Sequence, residues 1–224
     1  MKLTALVSGG KDSLYAMYLA KKENKIDSII SIKSENTESY MFHVPNIDLV
    51  KEQARLMDVK LIEKISKGIK EEELEDIRDV LSDLKNHGVE GAVTGAVQSN
   101  YQKERIDKIC KDLGIKSIAP LWHCDQEKYL RDLVKNFKVV IISVAAPPLD
   151  EKWLGREMDN KMIDELIILN KKYGISLVGE GGEFDTFVTD CPMYNRKIVI
   201  EDTENIWDAK TQSGYMIIKK IREE

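Results

Sequence analysis

At the start of the chain an apolar segment runs directly into a turn with two glycines and then into a helical pattern. We predict a strand from Leu3 to Val7 and a helix from Asp12 to Lys22, with SGGKDS, Ser8 to Ser13, between them. A strand that enters a helix through a short turn begins a βαβ unit, and such units build parallel sheets. The segment therefore predicts an α/β fold on a parallel sheet.

The same alternation continues to about residue 120, and beyond Pro120 the pattern changes to α+β. In the first part we predict strands at Ile26 to Ile32, Lys60 to Ile65 and Val89 to Thr94. We also predict three helices: one capped by Asn46 and ending near Met57, one at Glu71 to Lys85, and one at Gln98 to Leu113 that is closed by Gly114. In the second part we predict strands at Lys138 to Val144, Lys197 to Glu201 and Tyr215 to Ile221, and a helix at Asp159 to Tyr173.

Composition narrows the function classes. Lys and Arg number 34 against 39 Asp and Glu, giving a net charge of -5, whereas nucleic-acid binding normally needs a basic face. No apolar window is long enough to span a bilayer, and the N-terminus lacks a signal-peptide pattern, so we expect a cytoplasmic protein. Cys110, Cys124 and Cys191 form no C-x-x-C pair, which predicts packing residues rather than a disulfide framework or a zinc site.

The turn itself points to an anion. Backbone N–H groups and the positive dipole end of a helix face whatever lies above such a turn. Gly9 and Gly10 permit close approach of a phosphate, Ser8 and Ser13 add hydroxyl groups, and Lys11 adds a charge. Asp12 either caps the helix or helps to hold Mg²⁺. The spacing differs from both the G-x-x-x-x-G-K-S/T and the G-x-G-x-x-G motifs, and an ordinary βα turn is the alternative.

Two further segments are candidates for binding the rest of a nucleotide. Ser34 to Asn46, SENTESYMFHVPN, follows the second strand, and Met41 and His43 are placed to flank a base, although a loop histidine is often simply exposed or packed. Gly95 to Ile115 is a second glycine-bearing entry into a helix, with Gln102 and Arg105 in its first turns. Arg105 suits a phosphate or a carboxylate, and pairing with Glu104 or Asp107 in solvent is the alternative.

A third segment, GEGGEFDTFVTDCPMY from Gly179 to Tyr194, combines three glycines with Glu180, Glu183 and Asp185. Ordering glycine costs more entropy than ordering any other residue, and neighbouring carboxylates repel one another. We therefore interpret this segment as functional, with a tight acidic turn as the alternative.

SGGKDS resembles the PP-loop of the ATP pyrophosphatases, which cleave ATP between its α and β phosphates. Together with SYMFHVPN, GAVQSNYQ followed by Arg105, and GEGGEFDTF, it resembles the diphthine-ammonia ligase family along nearly the whole chain. The resemblance implies a Rossmann-like sheet of the adenine nucleotide alpha hydrolase type. It also implies an ATP-binding domain over residues 1–120 and a smaller α+β domain for substrate recognition over residues 121–224.

The resemblance also implies a reaction. ATP and Mg²⁺ would activate the carboxylate of diphthine, a modified histidine on translation elongation factor 2, and ammonia would convert the acyl adenylate into the amide of diphthamide, releasing AMP and pyrophosphate. The elongation factor and ammonia are then the expected partners, with no membrane, no direct nucleic acid and possible self-association as a homo-oligomer.

Site roles are carried over on the same basis. Pyrophosphate would bind Ser8, Gly9, Gly10, Lys11, Asp12 and Ser13, of which Lys11 and Asp12 are predicted to be catalytic and Asp12 to hold the metal. AMP would bind Ser34, Met41, His43, Gly95, Gln102 and Arg105. The acceptor would bind Glu180, Gly181, Gly182, Glu183, Asp185 and Thr186, with Glu183 catalytic, and Asp185 stands where the family often has glutamate.

The acidic segment also suggests how the acceptor is recognised. Diphthine carries a trimethylammonium group and ammonia arrives partly as ammonium, so Glu180, Glu183 and Asp185 are suited to bind a cation or to take a proton. Trp153 and Tyr194 are further candidates for enclosing the cation, with a packing role in the core or at its rim as the alternative for both.

Two other functions remain open at this stage. One is a PP-loop enzyme that modifies tRNA by thiolation or lysidine formation, although paired cysteines and a basic surface are lacking. The other is an adenine-nucleotide-binding module without turnover, against which Lys11 and Asp12 argue.

Overall fold

The structure is a computed structural model that describes residues 1–34, 45–67, 72–145 and 147–224. The chain divides into two compact units, Met1–Trp122 and His123–Glu224. Within the described part, no helix has the length and apolar character needed to cross a membrane.

Within its described residues, 1–34, 45–67 and 72–122, the first unit is a five-stranded parallel sheet with four α-helices. Its strands are β1 (Lys2–Leu6), β2 (Lys25–Ser34), β3 (Lys60–Ser66), β4 (Gly91–Val93) and β5 (Lys116–Ile118). Its helices are α1 (Lys11–Lys21), α2 (Val50–Leu56), α3 (Glu72–Asn86) and α4 (Asn100–Leu113). The predicted α/β fold on a parallel sheet is confirmed.

The order of the strands creates a crevice. Across the sheet they run β3-β2-β1-β4-β5, so the chain proceeds outward from β1 to β3 and then returns to place β4 on the other side of β1. In open α/β sheets, ligands bind beyond the carboxyl ends of the strands at the point where the order reverses. That point lies between β1 and β4, and β1 leads directly into the SGGKDS turn.

One face of the sheet is covered by α3 and α4. Apolar residues recur every three or four positions in both helices, which places them on one side, while the charged residues face away. The fully or nearly fully buried members of this core are Ile30, Ile32, Ile77, Leu81, Leu84, Ile106, Ile109 and Cys110. Burial, with a smaller contribution from Asp107, raises the pKa of the Cys110 thiol to about 11.

The second unit is α+β, as predicted. It comprises α5 (Gln126–Leu133), β6 (Lys138–Val144), α6 (Asn160–Tyr173), β7 (Phe184–Asp190), β8 (Ile198–Asp208) and β9 (Ser213–Glu223). The four strands form one sheet in the order β7-β6-β9-β8, and every pairing is antiparallel. The strand predicted at 197–201 overlaps only the first four residues of β8, and the strand predicted at 215–221 lies within β9. Three elements were not predicted: α5 and β7 in this unit and β5 in the first.

The ends of the predicted helices agree with the structure at Gly114 and differ at Asn46. Gly114 has φ +68° and closes α4 in the left-handed conformation that glycine favours. Asn46 precedes a short 3-10 turn, Ile47–Leu49, with φ +65°, and its side chain does not cap the helix. The prediction that Asn46 caps a helix was wrong because the chain reaches α2 through this turn instead.

Candidate functional site

The turn after β1 is shaped by Gly9 and by Gln53 of α2. Gly9 has φ +86°, a conformation that side chains disfavour, and a Cβ there would lie 2.9 Å from the Gln53 Oε1 atom. Gln53 is fully buried, and its Nε2 donates a hydrogen bond of 3.1 Å to the Gly9 carbonyl. The turn is therefore fixed from outside, by a helix that lies more than forty residues further along the chain.

The N-terminus of α1 differs from those of α4, α5 and α6. Each of these three begins with a side-chain oxygen that accepts from a backbone N–H group, supplied by Ser99, Asp125 and Asp159. The residue before α1 is Gly10, which has no side chain with which to cap this helix. Ser13 instead supports the turn, donating to the Gly10 carbonyl at 3.1 Å and accepting from Ser8 N at 3.3 Å. An uncapped helix N-terminus is suited to bind an anion.

Lys11 and Asp12 form an ion pair at this helix end. The Lys11 side chain is 2 % exposed, and its Nζ lies 2.9 Å from Asp12 Oδ2, whereas the Asp12 side chain is 32 % exposed. Asp12 is the second residue of α1 rather than its cap, so the capping alternative was wrong. Among the described residues no group of three or more His, Cys, Asp or Glu is placed to hold a metal ion. Asp12 therefore fits Mg²⁺ only in the usual arrangement in which phosphate oxygens supply the other ligands.

The end of β4 comes into direct contact with the first turn of α1. A Cβ on Gly95 would lie 2.6 Å from Ser13 N and 2.8 Å from Ser13 Cα, so glycine alone fits there. Its neighbour Thr94 continues the sheet by donating from its backbone N–H to the Ile118 carbonyl at 2.9 Å. Thr94 was not among the predicted site residues, since its only signal in the sequence is a hydroxyl at the end of an otherwise apolar strand.

The other predicted nucleotide-binding residues are spread over two elements. Ser34 is the last residue of β2 and is partly buried, while Met41 and His43 lie outside the described residues. In α4, the Gln102 backbone N–H donates to the capping Ser99 Oγ at 3.3 Å. The Arg105 guanidinium lies 3.5 Å above the centre of the Tyr101 ring, and its Nη1 donates to the Tyr101 carbonyl at 3.3 Å.

The glycine loop of the second unit, residues 179–183, is closed around Glu183. The Glu183 carboxylate accepts from Ser176 N at 2.7 Å and from Gly181 N at 2.9 Å. A Cβ on Gly181 would lie 2.8 Å from Glu183 Oε1, and Gly182 has φ +83°. The turn geometry therefore accounts for these glycines, and Glu183 organises the loop.

The remaining predicted acceptor residues lie partly in this loop and partly in β7. Glu180 is half-buried, with its N–H donating to Ser176 Oγ at 3.3 Å. Asp185 accepts from the Ser143 hydroxyl at 2.7 Å across the β6–β7 pair, and Thr186 is buried. The structure thus brings Glu180, Gly181, Gly182 and Glu183 together and places Asp185 and Thr186 on the strand that follows.

The two aromatic candidates have partners within the second unit. Trp153 is buried, and the Arg156 guanidinium lies 4.3 Å from the centre of its ring. The Tyr194 hydroxyl donates to the Val188 carbonyl at 3.3 Å. Trp153 is therefore a packing residue rather than an open wall for a cation.

Comparison with known proteins covers both units. Residues 1–117 match the family described as diphthamide synthase N-terminal domain, and residues 125–223 match diphthamide synthase C-terminal domain. A diphthine–ammonia ligase of Mus musculus is 32 % identical over 99 % of this chain and 92 % of its own length. That of Homo sapiens is 34 % identical over 91 % of this chain and 84 % of its own.

A yeast relative is much longer than this chain. The diphthine–ammonia ligase of Schizosaccharomyces pombe is 34 % identical over 98 % of this chain, which spans 39 % of that protein. Among solved structures, a predicted subunit of tRNA methyltransferase from Methanocaldococcus jannaschii aligns over 85 % of this chain and 97 % of its own length. Its TM-score is 0.45 and its sequence identity is 18 %, so it is too distant to bear on function. Two family matches in chain order and relatives that align along nearly the whole sequence give one conclusion: the chain belongs to the diphthamide synthase family, as its motifs predicted.

Proposed function

We propose that this protein is an ATP-dependent diphthine–ammonia ligase. A carboxylate oxygen of diphthine on elongation factor 2 attacks the α-phosphorus of ATP, and the bond to the β-phosphate oxygen breaks, releasing pyrophosphate. The nitrogen of ammonia then attacks the acyl carbon, AMP leaves, and one proton is lost to form the amide. The observation that carries the proposal is the β1–α1 turn. Gln53 donates to the Gly9 carbonyl of this turn, Gly10 begins the helix without a side-chain cap, and the relatives of the chain bear this name.

In the proposed reaction the first unit, assigned as the ATP-binding domain over residues 1–120, stabilises the leaving pyrophosphate. Its fixed N–H groups at α1 need no reorganisation as negative charge develops, which is the main source of electrostatic catalysis. Lys11 adds a positive charge from a buried position, where charges interact more strongly than in water. Mg²⁺, held by Asp12 together with phosphate oxygens, would neutralise charge on the leaving group.

The rest of the nucleotide is proposed to lie in the crevice between β1 and β4. Gly95 lies at this crevice, and Ser34, Gln102 and Arg105 are proposed to contact AMP. The roles predicted for Met41 and His43 stay predictions, since both lie outside the described residues.

The second unit, assigned as the substrate-recognition domain over residues 121–224, is proposed to receive the acceptor at residues 179–186. Glu183 holds the loop in shape through two backbone N–H groups. Glu180 and Asp185 then supply negative charge toward the trimethylammonium group or ammonium, and Gly181, Gly182 and Thr186 line the segment. We place this activity in the cytoplasm, where the elongation factor works, with no direct contact to nucleic acid.

The test supplies the purified protein with ATP, ammonium and elongation factor 2 carrying diphthine. The expected products are AMP and pyrophosphate, formed only when the modified factor is present, with Lys11→Ala inactive. Release of ADP and phosphate, or AMP formation that depends on tRNA instead of the factor, would overturn the proposal. If the protein binds the nucleotide but forms no product with any acceptor, it is an adenine-nucleotide-binding module without turnover.

A further inference from the structure

The hydroxyl group of Thr94 is buried with no hydrogen-bond partner within residues 1–34, 45–67, 72–145 and 147–224. Thr94 is 8 % exposed. Buried polar groups are nearly always paired, and leaving one unpaired costs about 1–3 kcal/mol, so an exception calls for an explanation.

A second buried threonine of the same sheet shows the usual arrangement. Thr4 in β1 is completely buried, and its Oγ1 donates to the Ser28 carbonyl at 3.2 Å while accepting from the Ser28 hydroxyl at 2.9 Å. Thr4 is therefore satisfied within the fold, and Thr94 is not. Thr4 and Thr94 can therefore be compared directly, as a hydroxyl group that is hydrogen-bonded within the fold and one that has no partner among the described residues.

Thr94 also lies at the point where the fold places a ligand. It follows β4 directly, at the carboxyl end of the strand that neighbours β1. The next residue, Gly95, contacts the backbone of Ser13 in the first turn of α1. The Thr94 hydroxyl therefore lies beside the point where the strand order reverses, and the residue after it contacts the start of α1. A hydroxyl group at this position has the chemistry to bind an oxygen atom of the nucleotide.

We propose that the Thr94 hydroxyl hydrogen-bonds the AMP half of the bound nucleotide, at its α-phosphate or ribose. The proposal rests on the ATP-binding function proposed above and assigns a further specificity-determining residue to that site. The turn at residues 8–13 serves the pyrophosphate half, so Thr94 discriminates AMP and ATP from pyrophosphate alone.

The experiment measures binding of AMP, ATP and pyrophosphate by calorimetry, and urea unfolding without ligand, for Thr94→Val, Thr94→Ser and Thr4→Val. Thr94→Val is expected to bind AMP and ATP about tenfold more weakly, the effect of one hydrogen bond to a charged or polar group. Its pyrophosphate affinity is expected to be unchanged, and its stability unchanged or higher because an unpaired hydroxyl is removed. Thr94→Ser keeps the hydroxyl and is expected to restore AMP affinity.

Thr4→Val is the control and is expected to show the opposite pattern, with lower stability and unchanged AMP affinity. An AMP affinity of Thr94→Val within twofold of wild type, or a loss confined to pyrophosphate, would overturn the assignment. Lower stability of Thr94→Val with unchanged binding would do the same, since the hydroxyl would then serve the fold. If the wild-type protein binds neither ATP nor AMP, the proposed function fails instead. Should Thr94→Val not fold, Thr94→Ala replaces it in the same comparison.

Discussion

The protein contains two glycine-rich turns that look alike in sequence and differ in how they are held. SGGKDS in the first unit is fixed from outside by Gln53, and it leads into a helix whose N-terminus has no side-chain cap. The loop at residues 179–183 in the second unit is fixed from inside by Glu183, whose two oxygens accept from backbone N–H groups of the loop and of Ser176.

The two turns differ in what their backbone N–H groups contact. In the second turn the N–H groups of Ser176 and Gly181 donate to the Glu183 carboxylate, and in the first Ser8 N donates to the Ser13 hydroxyl. The Gly181 N–H group already donates to a carboxylate and is not available to an anionic ligand. The first turn instead leads into the positive end of a helix dipole, after a glycine that has no side chain to cap it. The glycines therefore predict a tight turn in both places. The first turn leads into a helix N-terminus, and only there do we predict a phosphate site. The following predictions test this distinction, beginning with the largest expected effect.

Gly9→Ala and Gly182→Ala compare the two turns at nearly the same backbone angle. Both variants are destabilised by about 1–2 kcal/mol because alanine disfavours the left-handed conformation. A Cβ at Gly9 also lies 2.9 Å from Gln53 Oε1, whereas among the described residues no atom lies within 4 Å of a Cβ at Gly182. We expect Gly9→Ala to lower AMP formation about 100-fold or more, since small displacements of a catalytic group have effects of that size.

The measurements are AMP production, ATP affinity by calorimetry and urea unfolding for both variants. Gly182→Ala is expected to lose stability while its ATP affinity stays at the wild-type level. Equal ATP affinities in the two variants would contradict the assignment of the first turn as the phosphate site.

Glu183→Ala removes the group that closes the second turn. We expect ATP binding to be retained and amide formation to stop, because the acceptor segment loses its shape. The stability loss is expected to be about 1 kcal/mol, the size of one or two partly exposed hydrogen bonds. Hydrogen exchange of the Ser176 and Gly181 amides is the direct readout, and both are expected to lose protection. Weaker ATP binding in this variant would assign the loop a different role.

Gln53→Met removes the donor that holds the first turn while keeping a side chain of similar size. The Gly9 carbonyl loses a buried hydrogen bond, at an expected cost of about 1–3 kcal/mol in stability. ATP affinity is expected to fall severalfold because the turn is less well positioned. Gln212→Met is the control, since Gln212 Nε2 also donates to a backbone carbonyl, that of Ala209 at 2.8 Å, but in an exposed turn. Equal stability losses in the two variants would show that burial of the Gln53 contact has no effect.

Thiol labelling gives the smallest predicted effect and tests the packing of the first unit. Burial raises the pKa of Cys110 to about 11, so at pH 8 its reactive thiolate is about 0.1 % of the total. We expect alkylation of the native protein at Cys124, which is partly exposed, with Cys110 and the buried Cys191 labelled only after unfolding. Rapid labelling of native Cys110 would contradict the described core.

Local patterns predicted elements well where one physical signal dominates. The helix at Asn160–Tyr173 and the strand at Lys138–Val144 were found to within one residue, because their apolar spacing is regular and Asp159 caps the helix. β7 was missed because FDTFVTD mixes polar with apolar residues directly after the glycine loop, and it was therefore interpreted as part of that segment. β5 has only three residues, too few for a periodic pattern to appear.

Sequence alone determined the α/β class of the first half, the position of the glycine turn between β1 and α1 and the family, because these depend on residue type and spacing along the chain. Tertiary structure alone decided that Gln53 holds Gly9, that Gly95 touches Ser13 and that Thr94 lacks a partner within the described residues. Each of these contacts, or its absence, involves residues brought together from separate strands and helices. Hydrogen bonds and steric contacts act over a few ångströms in space, and the order of strands in the sheet decides which distant residues come within that range.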